Sequence, residues 1–293
     1  MVSYGVILCN GGICLELGFF ENLILGFISG FAEVLPVSAQ AHRLVILKML
    51  GIHGDSTVFR LMMHIAAAGA MYFYCKGYIV RMMRARRLAR VPKSRRKRPL
   101  DTEALMDFRM LLFATIPVIL GLFLYTKTGF LRKNLLYTAG LLLLNGIILY
   151  IPQYLPGSNK QSAALTRIDS LCFGLGGVLG MLPGISCIGS AISIGTVRGM
   201  DPAKALNFAL LLNIPVHIGL AVMDLLELLS AGAGSLSLSS LIFSLLAGAA
   251  AFAAIILAIH LLKKIASGIG FSVFAFYSWG AALLTFLLYL AAA

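Results

Sequence analysis

Apolar stretches long enough to cross a bilayer recur along almost the whole of this 293-residue chain. Each crossing needs about 20 such residues. The stretches run over 21–50, 57–80, 105–127, 135–151, 170–198, 203–229, 237–262 and 270–292. Only 12% of the residues are charged and 60% are hydrophobic, too few charges to cover a water-soluble domain. Composition therefore leaves an all-α polytopic membrane protein. Residues 1–20 have no basic start and carry Glu16, so they do not read as a cleaved signal; we assign this leader no function.

The net charge of +13 does not indicate nucleic acid, because ten basic residues fall in one run, "RMMRARRLARVPKSRRKR" (81–98), directly after an apolar stretch. Such a cluster marks a cytoplasmic loop and predicts contact with anionic membrane lipids. The five cysteines show no metal-ligand spacing.

An internal repeat organises the rest. "LPVS" (35–38) is answered by "LPGIS" (182–186), and "FRLMMHI" (59–65) by "FALLLNI" (208–214), at an offset of 147 to 149 residues. His64 thus corresponds to Asn213. With 81–99 in the cytoplasm, Lys263 and Lys264 also reach that side if 170–198 dips in and returns instead of crossing. The stretches 21–50 and 170–198 are also the ones broken by Gly, Pro and polar residues, which membrane-depth backbone tolerates only beside protein or a wet cavity. The expected architecture is two inverted repeats, each with one re-entrant helical hairpin and three spans. The first covers 21–151 with the basic loop 81–99, a cytoplasmic linker covers 152–169, and the second covers 170–293.

Ionisable residues inside spans are functional candidates because their burial is expensive. Glu33 reads as a metal ligand, a base, or a carboxyl bonded to backbone in the broken hairpin. His42, beyond the proline, is expected near Glu33 as a base or phosphate contact, or else at the headgroup interface. Ser38 and Ser186 follow the two prolines, where hydroxyls and glycine N–H groups at a helix start form a phosphate cradle or merely cap the helix. His64 reads as a site residue or a polar helix–helix contact. Asp224 and Glu227, near the end of a span, are expected at the outer interface.

"GFISGFAEVLPVSAQAHRLVILKMLG" (26–51) with "LPGISCIGSAISIGTVRGM" (182–200) resembles the bacterial undecaprenyl-diphosphate phosphatases of the bacitracin-resistance type. The likeness extends through "NFALLLNIP" (207–215) and "FSVFAFYSW" (271–279). It implies six spans and two re-entrant hairpins in the bacterial cytoplasmic membrane, with the site facing outside. It also implies removal of the terminal phosphate of a polyprenyl diphosphate, assisted by Mg²⁺ or Ca²⁺; a homodimer is compatible with it. By the resemblance Glu33 holds metal or activates the nucleophile, His42 transfers protons, and Ser38, Ser186 and Gly184 contact phosphate.

The motif is incomplete here. The first acid of the family's pair is Ser29, and its arginine is Cys187. His42, Arg43 and His64 are the candidates to supply the missing contact to phosphate. Three functions follow: a phosphatase with a rearranged site, a polyprenyl-phosphate binder or translocase that no longer cleaves, and a transporter of an unrelated solute.

Overall fold

The structure is a computed structural model and describes residues 6–9, 12–15, 18–52, 56–131, 134–154, 166–231, 237–266 and 271–292. Residues 1–5, 10, 11, 16 and 17 of the leader 1–20, and residues 155–165 of the expected linker 152–169, lie outside the described residues. Backbone of β1 (Val6–Cys9) pairs antiparallel with β2 (Gly12–Leu15). Ten α-helices follow: α1 (Phe19–Val34), α2 (Ala39–Met49), α3 (Thr57–Ala89), α4 (Thr102–Lys127), α5 (Leu135–Tyr150), α6 (Arg167–Leu179), α7 (Cys187–Val197), α8 (Pro202–Ala231), α9 (Leu238–Ala266) and α10 (Val273–Ala292).

Six of them, α3, α4, α5, α8, α9 and α10, are long and apolar enough to cross a membrane. Their outward faces carry large apolar side chains such as Phe123 (71% exposed) and Leu283 (61%), which suit lipid and not water. This is a multi-pass membrane protein. The span expected to end at residue 80 continues to Ala89, because Arg, Met, Leu and Ala favour helix and the extra turns are anchored. Arg81 pairs with Asp101 and Glu103, and the Arg86 guanidinium lies over the Phe108 ring.

The other four helices form two pairs broken at the prolines. At 11 residues, α2 and α7 are each about 16 Å long, half a bilayer core. In the second pair the chain leaves at the end where it entered: Arg198, capping α7, binds Asp169 in the first turn of α6 through Nε (2.6 Å) and Nη2 (2.5 Å). In the first pair, Leu25 of α1 and Leu47 of α2 share one buried cluster with Phe59 and Ala247.

Packing follows the same pattern in both halves. Helix α1 lies on α9 as α6 lies on α4; α3 packs on α9 as α8 packs on α4; α3 pairs with α8, and α5 with α10. Small residues allow the closest of these approaches. Gly26 and Gly30, one turn apart on α1, face Ala247 and Ala251 on α9, and a Cβ at Gly30 would stand 2.6 Å from the Ala251 backbone. In lipid, where apolar side chains gain little by meeting one another, such small-residue seams hold helices together.

Candidate functional site

The two breaks meet. Ser38 Oγ accepts the Gly184 N–H at 3.0 Å, and Ser186 Oγ donates to Leu35 O at 3.2 Å. Asn145 on α5 bridges them, since its Nδ2 donates to Pro36 O (3.1 Å) and Ser278 Oγ (2.9 Å) while its Oδ1 accepts the Ser186 N–H (2.9 Å). The sequence repeat therefore marks two segments that hydrogen-bond directly to each other.

Both breaks need unusual backbone. Gly184 has φ +117°, and a Cβ there would sit 2.8 Å from Thr138 O. Ser38 has φ +64° with ψ 96°, the one non-glycine residue with positive φ among the described residues. It does not cap its own helix, because its hydroxyl is turned to Gly184. Ser186 does cap α7, accepting the Gly189 N–H at 3.1 Å.

A small pocket of about 20 Å³ lies at this junction, lined by Glu33, Ser38, Gln40, Ser186 and Cys187 among others. That volume holds about one water. The first residues of α2 (Ala39) and α7 (Cys187) both line it, so two helix N-termini, one from each half, open on the same point. The dipoles of the two helices favour negative charge there. Gln40 Oε1 is buried without a protein hydrogen bond, and Cys187 Sγ donates to Gly177 O at 3.2 Å.

Glu33 is not alone, although its nearest ionisable partner is distant in sequence. Its Oε1 lies 3.4 Å from His217 Nε2 on α8. The Nδ1 atoms of His217 and His64 are 3.0 Å apart, so one ring donates and the other accepts. His64 Nε2 then lies 3.6 Å from Asp224 Oδ2. Asp224 Oδ1 accepts from Arg60 Nε at 3.1 Å, and Arg60 Nη2 reaches the exposed Glu227 at 2.8 Å. A row of ionisable side chains thus leads from the pocket to the end of α3 opposite the basic run. Asp224 corrects the expectation of an interfacial residue: it is only 2% exposed, drawn inward by Arg60 and His64. Arg43 is also buried, and its charge acts on Asp224.

His42 is placed elsewhere. Its Nδ1–H donates to Ser38 O at 2.8 Å, leaving Nε2 to accept from the Tyr277 hydroxyl at 2.6 Å, with the two rings stacked. Gln40 and His42 are two positions apart and so on opposite sides of α2, and it is Gln40 that shares the pocket with Glu33. His217, Asn145 and Tyr277 were not anticipated from the sequence.

Among the described residues, no group of three or more His, Cys, Asp and Glu side chains stands ready to hold a metal ion. The pocket offers one carboxylate and neutral oxygens. Such a set suits a hard cation that arrives with phosphate oxygens, not a resident ion.

The family model described as bacitracin resistance protein BacA matches residues 22–284. A protein of Methanobrevibacter smithii named undecaprenyl-diphosphatase is 28% identical over 91% of this chain and 96% of its own length. Proteins of the same name from Alkaliphilus metalliredigens (28%; 89% and 94%) and Jannaschia sp. (28%; 85% and 92%) align over similar lengths. The match spans all ten helices except the first three residues of α1 and the last turns of α10, and takes in every residue of the Glu33 pocket; by it the chain belongs to the bacitracin resistance protein BacA family.

Proposed function

We propose that this protein hydrolyses undecaprenyl diphosphate to the lipid monophosphate and inorganic phosphate at the Glu33 pocket. The observation that carries the reading is the convergence of two helix N-termini, one from each half, on a pocket whose one carboxylate is Glu33. Such a point attracts the charge of a diphosphate. Its donors are the Ser38 and Ser186 hydroxyls and the Gly184 N–H. Across the halves the Gly184 N–H now donates to Ser38 Oγ and the Ser186 hydroxyl to Leu35 O, and these bonds are exchanged for phosphate oxygens when the junction widens, as about 20 Å³ requires.

In this reading Glu33 accepts the proton of the attacking water as oxygen bonds to the terminal phosphorus, and the lipid monophosphate leaves. His217, behind Glu33, holds the carboxylate in place. A divalent cation bound with the substrate, beside Glu33 and Gln40, would neutralise charge on the diphosphate. The family's arginine is Cys187 here, and a lost donor typically lowers the rate on the order of 10²–10³-fold. We therefore expect slower turnover than in a relative that keeps the arginine.

The packing pattern supports two inverted repeats with α1–α2 and α6–α7 as re-entrant hairpins. We place the basic end in the cytoplasm and the Arg60–Glu227 end outside, so the pocket is served from outside the cytoplasmic membrane.

One observation favours a second reading, a carrier that binds and moves the lipid phosphate. Hydrogen bonds between the halves close the pocket as a gate would. Purified protein given undecaprenyl diphosphate with Mg²⁺ or Ca²⁺, and with chelator, separates the two. Cation-dependent phosphate release that Glu33→Ala abolishes establishes the hydrolase. Bound lipid with no release above that variant establishes the carrier.

A further inference from the structure

We propose that the C-terminal turns of α3 and the segment after them form a second anion site, specific for a phosphate group attached to an apolar body. A cavity of about 560 Å³ opens there, at the far end of α3 from Arg60. Arg84, Arg87, Lys97 and Arg98 line it, and Leu88, Val91 and Pro99 give it an apolar wall. One acid, Asp101, also lines it, and Arg81 already takes that carboxylate at 2.6 Å.

Besides Arg81, four cations line the cavity, and none of these four has an acidic partner among the described residues; Arg90, Lys93 and Arg95 of the same run have none either but lie outside the cavity, while other neighbours are committed. Lys204 pairs with Glu103 and Asp107, and Arg198 with Asp169. Arg86 covers the Phe108 ring, and Arg96 folds back to donate to Val91 O and Ala89 O, fixing the segment against α3. What sets the four apart from the rest of the run is the recess they share with an apolar wall. Four uncommitted cations around one apolar-walled recess fit a single phosphate-bearing amphiphile, with the phosphate among the cations and the apolar part on the wall.

A membrane phospholipid and a free phosphate compound share this chemistry, so two probes are used on the full-length protein in detergent. These are dioctanoyl phosphatidic acid and inorganic pyrophosphate, with binding read by native mass spectrometry and by titration. Each lost cation is expected to weaken binding about fivefold, so Arg84→Gln/Arg87→Gln/Arg98→Gln weakens it on the order of 100-fold. The control Arg90→Gln/Lys93→Gln/Arg95→Gln removes the same charge from exposed positions outside the cavity and should change binding less than threefold. Tighter binding of the lipid than of pyrophosphate is the expected result and identifies the membrane as the source; the reverse order overturns the apolar-body specificity. Equal losses in the two triple variants, or neither probe binding wild type better than the cavity variant, overturns the proposal. Because phosphate release is not the readout, the result is independent of the reading of the Glu33 pocket.

Discussion

Replacing Ser38 separates two effects that the structure superimposes on it. Its hydroxyl accepts the Gly184 N–H at 3.0 Å, and its backbone is held at φ +64°. In Ser38→Ala the buried N–H loses its partner, at about 1–3 kcal/mol, and the Cβ keeps the backbone strained. In Ser38→Gly the same bond is lost, but the unfavourable φ, worth about 1–3 kcal/mol, is relieved. The glycine loses about 0.5–1 kcal/mol of that through greater freedom in the unfolded chain. The net expectation is that Ser38→Gly lies within about 1 kcal/mol of wild type, and Ser38→Ala about 1–2 kcal/mol below the glycine variant. Thermal unfolding in detergent, with SDS titration for free energies, ranks the three proteins. An alanine variant as stable as the glycine variant, or more so, refutes the claim that this backbone is strained by the junction.

Asn145→Leu removes three buried hydrogen bonds at once and is expected to lower stability by about 2–4 kcal/mol in the same assay. His217→Phe should lower kcat for phosphate release at least tenfold while leaving lipid binding within threefold; His217→Gln, which can still donate toward Glu33, should recover part of the rate. A loss of binding in place of rate would show that His217 touches substrate. Arg198→Ala removes the only charged partner of the buried Asp169 carboxylate among the described residues, leaving it the Thr166 hydrogen bonds, and should lower stability by about 1–3 kcal/mol, with Asp169→Asn restoring part of it. Arg81 holds the Asp101 carboxyl below the usual carboxylate range. Because the folded value is the lower one, this clasp supports the fold at neutral pH and is lost as pH falls through that lowered value. Asp101→Asn should therefore flatten the loss of stability on acidification between about pH 5 and pH 2.

The repeat, the six spans and the two breaks were legible because each rests on short-range pattern: apolar runs, prolines, and a constant offset between similar segments. Glu33 stood out for the same reason, as an acid inside an apolar stretch. What surrounds it was not legible, since His217 and Glu33 are 184 positions apart and meet only through the packing of α8. A signal was present: His217 and Asp224, seven residues apart, share one face of a helix, as do Arg60 and His64, and each is expensive to bury unless paired. His42 was expected near Glu33 because the chain returns past Pro36, but a helix turns 100° per residue, and that rotation carries it to Tyr277 instead. Asn145 sits in a run of leucines and isoleucines, and only the meeting of the two breaks gives its amide both a donor and an acceptor to satisfy.

The most direct test of the account is a structure of the Glu33→Gln variant with undecaprenyl diphosphate bound. The prediction is that the junction is widened, with the diphosphate between residues 35–38 and 184–187, in contact with the Ser38 and Ser186 hydroxyls and the Gly184 N–H. A diphosphate found among Arg84, Arg87 and Arg98, with the junction still closed by its own hydrogen bonds, would contradict it.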